Sequence, residues 1–493
     1  MSVPQVGFQK VDFQTGVAPQ SPVGVLAIIA PANPSSAMPM NVATSYARDD
    51  LAYNDAGPSP LAEDISYTIQ VGGKSVLAIR PTTATQATYG TINKTGTGTS
   101  AITAGTTHPA DSYPVTVNFI TGGTIGVAGI TYQYSLDGVN FSAVQALGTA
   151  NTLTIPNFSQ GGSPGVSFAL GAGTIVAGDS FTCQTSHAQS TDTDLPAALE
   201  ALRITKSPWE GVLIDQDLQS GEVALIDTWL QGLEKVGKFR FFLANSRMKQ
   251  AGETEAAFAT AMQALVAAQT PTIRGCVGTD GAELTSTLTG LTLPRPTSVL
   301  LGARAMKIAI GTDPALIADG PLAGATIIDT DGNPTFHNEE LYPNLDQLLL
   351  TALRTVANED GVFINNANVF STVGSDYVFL PHIRTMNRAC EVAYGVLVKE
   401  LGRGVGKKPA DPVTGGVYIL EEDALTIEGM VNTAIERELA GQVASFKFQL
   451  ARNDDLSSNA GAILNSTLTL VALAYIKGIK VLAAFAKSIA AAA

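Results

Sequence analysis

The sequence is poor in the residue types that usually carry chemistry. Its 493 residues include only three cysteines, Cys183, Cys276 and Cys390. An odd, widely scattered set excludes a disulfide framework and has no zinc-ligand spacing, so buried thiols are expected. The four histidines, His108, His187, His337 and His382, have no second ligand at metal-site spacing. No G-x-G-x-x-G follows a strand, and neither a phosphate-cradling G-x-x-x-x-G-K-[ST] loop nor a G-x-S-x-G elbow occurs. No catalytic residue, metal site or cofactor is expected.

Charge is also scarce, at 15% Asp, Glu, Lys and Arg, against the quarter typical of globular chains. The 29 basic and 43 acidic residues leave a net charge of −14. Phosphate backbones require clustered lysine and arginine, so nucleic acid is an unfavoured partner. The C-terminal stretch "LTLVALAYIKGIKVLAAFAKSIAAAA" (468–493) is apolar, yet Lys477, Lys480 and Lys487 interrupt it. No unbroken run reaches the ~20 residues that span a bilayer, which argues against direct membrane insertion. The opening "MSVPQVGFQKVDFQTG" has no basic-then-apolar signal pattern.

What the chain does contain is abundant glycine (48) and long polar-neutral stretches. Residues 1–20 alternate with period two, Val6 and Phe8 and then Val11 and Phe13, with no nearby partner strand. "VGVLAIIAP" (23–31) is a continuous apolar run, as in a strand buried on both faces. "SYTIQVGGKSVLAIRP" (66–81) predicts two short strands about a GGK turn. Residues 89–187 are nearly uncharged and carry at least five short strands between glycine-rich turns, at 113–120, 129–138, 151–158, 165–170 and 179–186. That spacing predicts an all-β, immunoglobulin-like sandwich inserted in the chain.

From about 190, strands and helices alternate, which implies a partly parallel sheet covered by helices. "GTDGAEL" (278–284) follows a strand and reads as a turn rather than a phosphate loop, and "DTDGNP" (329–334) as a hairpin turn. "NLDQLLLTALRTVANEDG" (344–361) predicts a helix ending at Gly361, with a strand and turn at 362–370. Long helices are expected over 380–402 and 421–441. "VASFKFQLARND" (443–454) alternates, with Phe446, Phe448 and Leu450 facing inward. Residues 468–476 read as a strand buried on both sides, with Gly478 as a bend. Arg384, Arg388, Arg403, Lys407 and Lys408 form a basic stripe, either a solvated face with internal ion pairs or an intersubunit contact.

This order of textures resembles the contractile-tail sheath proteins of bacteriophages and related injection systems. The likeness rests on "VGVLAIIAPAN", the passage "ARDDLAYNDAGPSPLAEDISYTIQVGGKSVLAIRP" with Gly72, Gly73 and Arg80, the helix bearing Arg384 and Arg388, and the helix–strand–loop–strand ending at 421–488. The "YQYSLDGVNFS" segment (132–142) looks like the outer β-domain that many phage sheaths carry.

The resemblance implies a non-enzymatic virion subunit, assembled in the host cytoplasm, of mixed α+β and α/β class. It would stack as hexameric rings around a tail tube protein and meet baseplate and terminator proteins. An arm at 1–20, an α/β unit at 21–88 with 188–335, the β insert at 89–187, a tube-facing α+β unit at 336–470 and an exchange strand at 471–493 follow. The resemblance also implies that Val6, Phe8, Val11 and Phe13, and Ile479, Val481, Leu482 and Phe485, each enter a neighbour's sheet, with Gly478 as hinge and Phe446, Phe448 and Leu450 in the receiving sheet. Arg384, Arg388, Arg403, Lys407 and Lys408 would touch the tube or a neighbour. The rival expectation is a surface-displayed adhesin that binds through the β insert.

Overall fold

The computed structural model describes residues 22–250, 252–327, 336–402, 404–408, 416–457 and 463–480. The expected arm residues Val6, Phe8, Val11 and Phe13, the 329–334 turn, Arg403 and the tail residues Val481, Leu482 and Phe485 lie outside them.

Leu26–Ile29 (β1) is apolar at every position because it lies inside a sheet with both faces covered. Thr44–Tyr46 (β2), Val76–Ile79 (β3), Gly211–Asp217 (β4), Phe241–Asn245 (β5) and Gly275–Gly278 (β6) complete a six-stranded sheet in the order β6-β5-β4-β1-β3-β2. All neighbours run parallel except the edge pair β2–β3. Successive β1 side chains enter opposite cores: Leu26 and Ile28 on one face, Ala27 and Ile29 on the other.

Helices Asp49–Ala56 (α1), Pro60–Gly72 (α2) and Thr297–Lys307 (α6) cover the first face. Leu195–Ile204 (α3), Glu222–Glu234 (α4) and Glu255–Ala267 (α5) cover the second. Gly211 is set so closely against the neighbouring strand that a Cβ there would lie 2.5 Å from the Phe241 ring.

Two segments depart from the sequence expectation. Residues 60–72 form α2 rather than the first of two strands. Ser59 caps it by accepting from the Ala62 N–H, Pro60 occupies the first turn, and Gly73, at φ 65°, ends it. The β-branched residues Thr68, Ile69 and Val71 favour a strand locally, but burial of Leu61 and Ile65 one turn apart outweighs that preference. Residues 344–361 are not a helix. A single turn at Asp346–Leu348 leads into a hairpin of Leu353–Val356 and Glu359–Ile364, closed by Asn358 at φ 66°. Leu345 and Leu350 insert into one core and Leu353 and Ile364 into the other, a division that one helical stripe does not allow.

The β-rich region follows expectation strand by strand: Pro114–Thr121, Thr131–Ser135, Thr152–Thr154, Ser167–Leu170 and Ser180–Ser186 all form. Two main sheets enclose their own core, in which Phe168 meets Phe181 edge-on at 4.7 Å. The region rests on an antiparallel hairpin of Gly281–Thr285 (β7) and Thr292–Pro296 (β8), whose Leu293 enters that core. The turn expected within 278–284 is confined to Thr279 and Asp280, between β6 and β7: Asp280, at φ 54°, accepts from the Lys249 and His337 N–H groups.

Helices Leu380–Leu397 (α7) and Glu421–Leu439 (α8) pack on each other and, with Ser445–Leu450 (β9) and Ser466–Val471 (β10), form a fourth core. Apolar residues between Leu345 and Ile383 contribute instead to the two cores of the six-stranded sheet, and those from Ala389 onward to the fourth. Where α7 meets the sheet, Trp209 and Trp229 stack at 5.9 Å. Arg240 lies 5.2 Å over Trp209 and is ion-paired to Glu391 of α7.

Candidate intersubunit surface

The pair β9–β10 is a two-stranded antiparallel sheet on α8, with Phe448 opposite Leu468 and Leu450 opposite Ser466. Phe448 and Leu450 are buried against α8, Phe446 is partly buried, and Lys447 and Gln449 point outward, as the alternation predicts.

The two outer edges differ. On β9, α8 closes the edge: the Asn432 side chain accepts from Phe448 N–H (2.9 Å) and donates to its carbonyl (3.1 Å), and Glu428 accepts from Leu450 N–H (2.7 Å). Arg452 anchors Glu428 at 2.6 Å and Glu421 at 2.9 Å, and its cation holds the Glu428 carboxyl below the usual range. On β10 the opposite edge has no partner strand among the described residues. Because Phe448 turns its main chain away from β10, its opposite residue Leu468 must turn its own N–H and C=O away from β9. Phe446, Phe448 and Leu450 therefore line the covered side of the sheet, and the open edge is Ser466–Val471.

Beyond Val471 the chain leaves the sheet, so the strand is shorter than the expected 468–476. It is not buried on both sides either: Val471 is 52% exposed and Ile476 81%. Two side chains fasten this segment to the body. Tyr475 donates to the Gly311 carbonyl (2.9 Å), stacks on His382 (centroids 5.8 Å) and meets Phe379 edge-on. Lys477 pairs with Asp313 and sits 4.2 Å over the Phe379 ring. Burial pushes the His382 imidazole below its ordinary pKa, and the neutral ring accepts from Val378 N–H. Gly478 follows the last anchor directly, and Ile479 beyond it is 80% exposed. Sequence reasoning missed this clamp. Its only trace is a Tyr and a Lys two residues apart in an otherwise apolar run.

The basic stripe separates into different roles. Arg384 is not on the surface. Its guanidinium donates to Glu210 at 2.5 and 3.1 Å and to the Ala305 carbonyl at 2.8 Å, with the side chain 1% exposed. It fastens α7 to α6 and to the entry of β4, so a direct tube or neighbour contact is withdrawn. Arg388 pairs with Glu438 at 2.6 Å and Glu391 at 3.5 Å, within the α7–α8 pair. Lys407 is exposed but donates to the Leu456 carbonyl at 2.9 Å, and Lys408 N–H donates to the Tyr418 carbonyl. Among the described residues no three His, Cys, Asp or Glu are placed to hold a metal, and no helix is long and apolar enough to cross a membrane.

A family model described as "DUF2586, N-terminal domain" matches residues 3–368. The chain belongs to the DUF2586 family. Among solved structures, the DUF2586 chain is similar to the sheath complex, in its contracted state, of an extracellular contractile injection system. The similarity spans 99% of this chain and 98% of that one, with a TM-score of 0.53 at 10% identity. An anti-feeding prophage baseplate structure matches over 99% and 100% of the two chains, with a TM-score of 0.48 at 11% identity. A sheath tail protein from Desulfitobacterium hafniense matches over 94% and 100%, at 0.42 and 10%. Comparison with curated protein sequences found no match. The first similarity gives this DUF2586 chain the fold of a contractile sheath subunit over its whole length.

Proposed function

We propose that this chain is the structural subunit of a contractile sheath, in a phage tail or a related injection particle. Copies stack as hexameric rings around a tube and are linked by exchanged N- and C-terminal strands. The observation that carries this reading is the unfinished β9–β10 sheet. A two-stranded sheet is marginal by itself, and this one leaves the β10 edge open beside an exposed, clamped tail. Strand addition completes such a sheet through main-chain hydrogen bonds and tolerates sliding of the bodies.

In this reading the arm at 1–20 and the tail beyond Gly478 are the donors, and Ser466–Val471 is the acceptor edge. The β-rich region is the outward-facing, immunoglobulin-like insert, and the C-terminal unit faces the tube. The fold match along the full chain supports the reading, and baseplate and terminator proteins are the partners at the two ends of the polymer. No chemical step is needed: the extended array would be metastable, and growth of contact area between subunits would drive contraction.

Negative-stain microscopy of the full-length protein is expected to show tubes or six-fold rings. Deletion of residues 1–15 should leave a folded subunit that builds no long tubes. Normal tubes from that truncation would rule out the exchanged arm.

A further inference from the structure

The joint between the β-rich region and the α/β body contains a group of acids that the sheath reading does not use. Asp64 on α2 is 0% exposed, and no donor among the described residues reaches either of its oxygens. Another carboxyl faces it, that of Asp215 on β4, which is 6% exposed. Ionised carboxylates only accept hydrogen bonds, so the two cannot satisfy each other while both are charged.

The surrounding charges do not relieve them. Arg295 on β8 is the nearest cation, but it is engaged by Asp111 of the β-rich region at 2.7 and 3.3 Å. Glu63, adjacent on α2, faces the same arginine and accepts from the Ser286 hydroxyl at 2.8 Å. Asp217 lies further along β4, near Arg247, which is paired with Glu253 at 2.6 Å. His187, at the end of the β-rich region, faces the same group and contacts the Ser112 hydroxyl at 3.0 Å. Acids thus outnumber the committed cations in a seam assembled from α2, β4, β8 and the β-rich region.

We propose that Asp64 and Asp215 together hold one proton at neutral pH, and that this proton locks the seam between the β-rich region and the body. With it, Asp64 donates to Asp215 and both carboxyls are satisfied. Without it, two adjacent buried carboxylates repel across the joint. Burial first, then the charge of Asp215, pushes the Asp64 carboxyl far above the ordinary carboxylate range, and burial raises Asp215 as well. A carboxyl whose folded pKa is raised stabilises the fold fully below its unfolded value of about 3.9, and that contribution is lost as pH rises through the folded value. The joint is therefore tightest on the acid side and loosens toward alkaline pH.

Infrared difference spectra of the full chain at neutral pH provide the test. Wild type minus Asp64→Asn should show the carbonyl stretch of a protonated carboxylic acid, and wild type minus Asp215→Asn should show the same band. An amide at position 64 can still donate to Asp215. The melting temperature of Asp64→Asn should therefore exceed that of wild type by about 2 °C or more at roughly pH 9, with the gap closing as pH falls toward about 4. Should Asp64→Asn not fold, loss of a protonated-carboxyl band from wild type on raising pH, absent in Asp215→Asn, tests the same point. Difference spectra without the band, or an Asp64→Asn melting curve with the wild-type pH slope, would overturn the proposal.

Discussion

The chain contains two sheets that treat their edges in opposite ways. In the body, β1 lies between two parallel neighbours and under helices on both faces, and every one of its residues is at most 1% exposed. At the C-terminal end, β10 has one neighbour and a half-exposed apolar residue at its last position, Val471. The first sheet is saturated and holds the subunit together. The second is closed on one side by α8 and left open on the other, so its remaining hydrogen bonds are available to another chain. In the proposed reading, stability and assembly belong to separate sheets, and mutations should separate them.

The largest effect is expected where the body grips the C-terminal unit. Arg384→Met leaves Glu210 in a buried site with no guanidinium partner, and breaking such a pair costs about 3–5 kcal/mol. Chemical denaturation should show this loss in the isolated subunit, before any assembly is measured. If Arg384 served only neighbours, subunit stability would be unchanged.

Leu468→Pro inverts the pattern. Its N–H faces away from β9, so the home pairing survives, and edge strands tolerate proline at such positions. The subunit should lose roughly 1 kcal/mol, mainly from altered packing, while tubes disappear from micrographs. Tubes of normal length would move the acceptor edge elsewhere.

The smallest effect concerns the clamp. The His382 pKa is depressed, so its contribution is present above the unfolded value of about 6.5 and is lost as pH falls through the folded value. Protonation would also place a second cation near Lys477. Trypsin should therefore cut after Lys477 severalfold faster at mildly acidic than at neutral pH, once corrected for intrinsic protease activity. In Tyr475→Ala the cut should be fast at both. An identical pH response in that variant would separate His382 from the tail.

The parts of this architecture that the sequence made legible are those set by short-range pattern. The strands of the β-rich region alternate and are punctuated by glycine turns, and the apolar run at Leu26–Ile29 marked a strand covered on both faces. Residues 66–72 failed because three β-branched residues dominate the local signal, whereas the deciding contacts are with α6, more than two hundred residues later. Arg384 failed for the same reason: Glu210 lies 174 positions away, and no local rule pairs them. The terminal segment was readable as a strand but not as exposed, because a pattern apolar on both faces looks alike whether the covering chain is its own or another copy. The clamp by His382, Phe379 and Asp313 on Tyr475 and Lys477 had no periodic signature at all.

The stacked pair Trp209 and Trp229 accounts for both tryptophans of the chain. Both lie where Arg240, Glu391, Arg388 and Glu438 connect the body to α7 and α8 in a continuous line of charges. Intrinsic emission from this protein is therefore a single-site gauge without any label. A turn of the C-terminal unit against the body would shift the guanidinium over the indole and change the quantum yield, so such a movement during the proposed assembly or contraction can be timed in a stopped-flow fluorimeter.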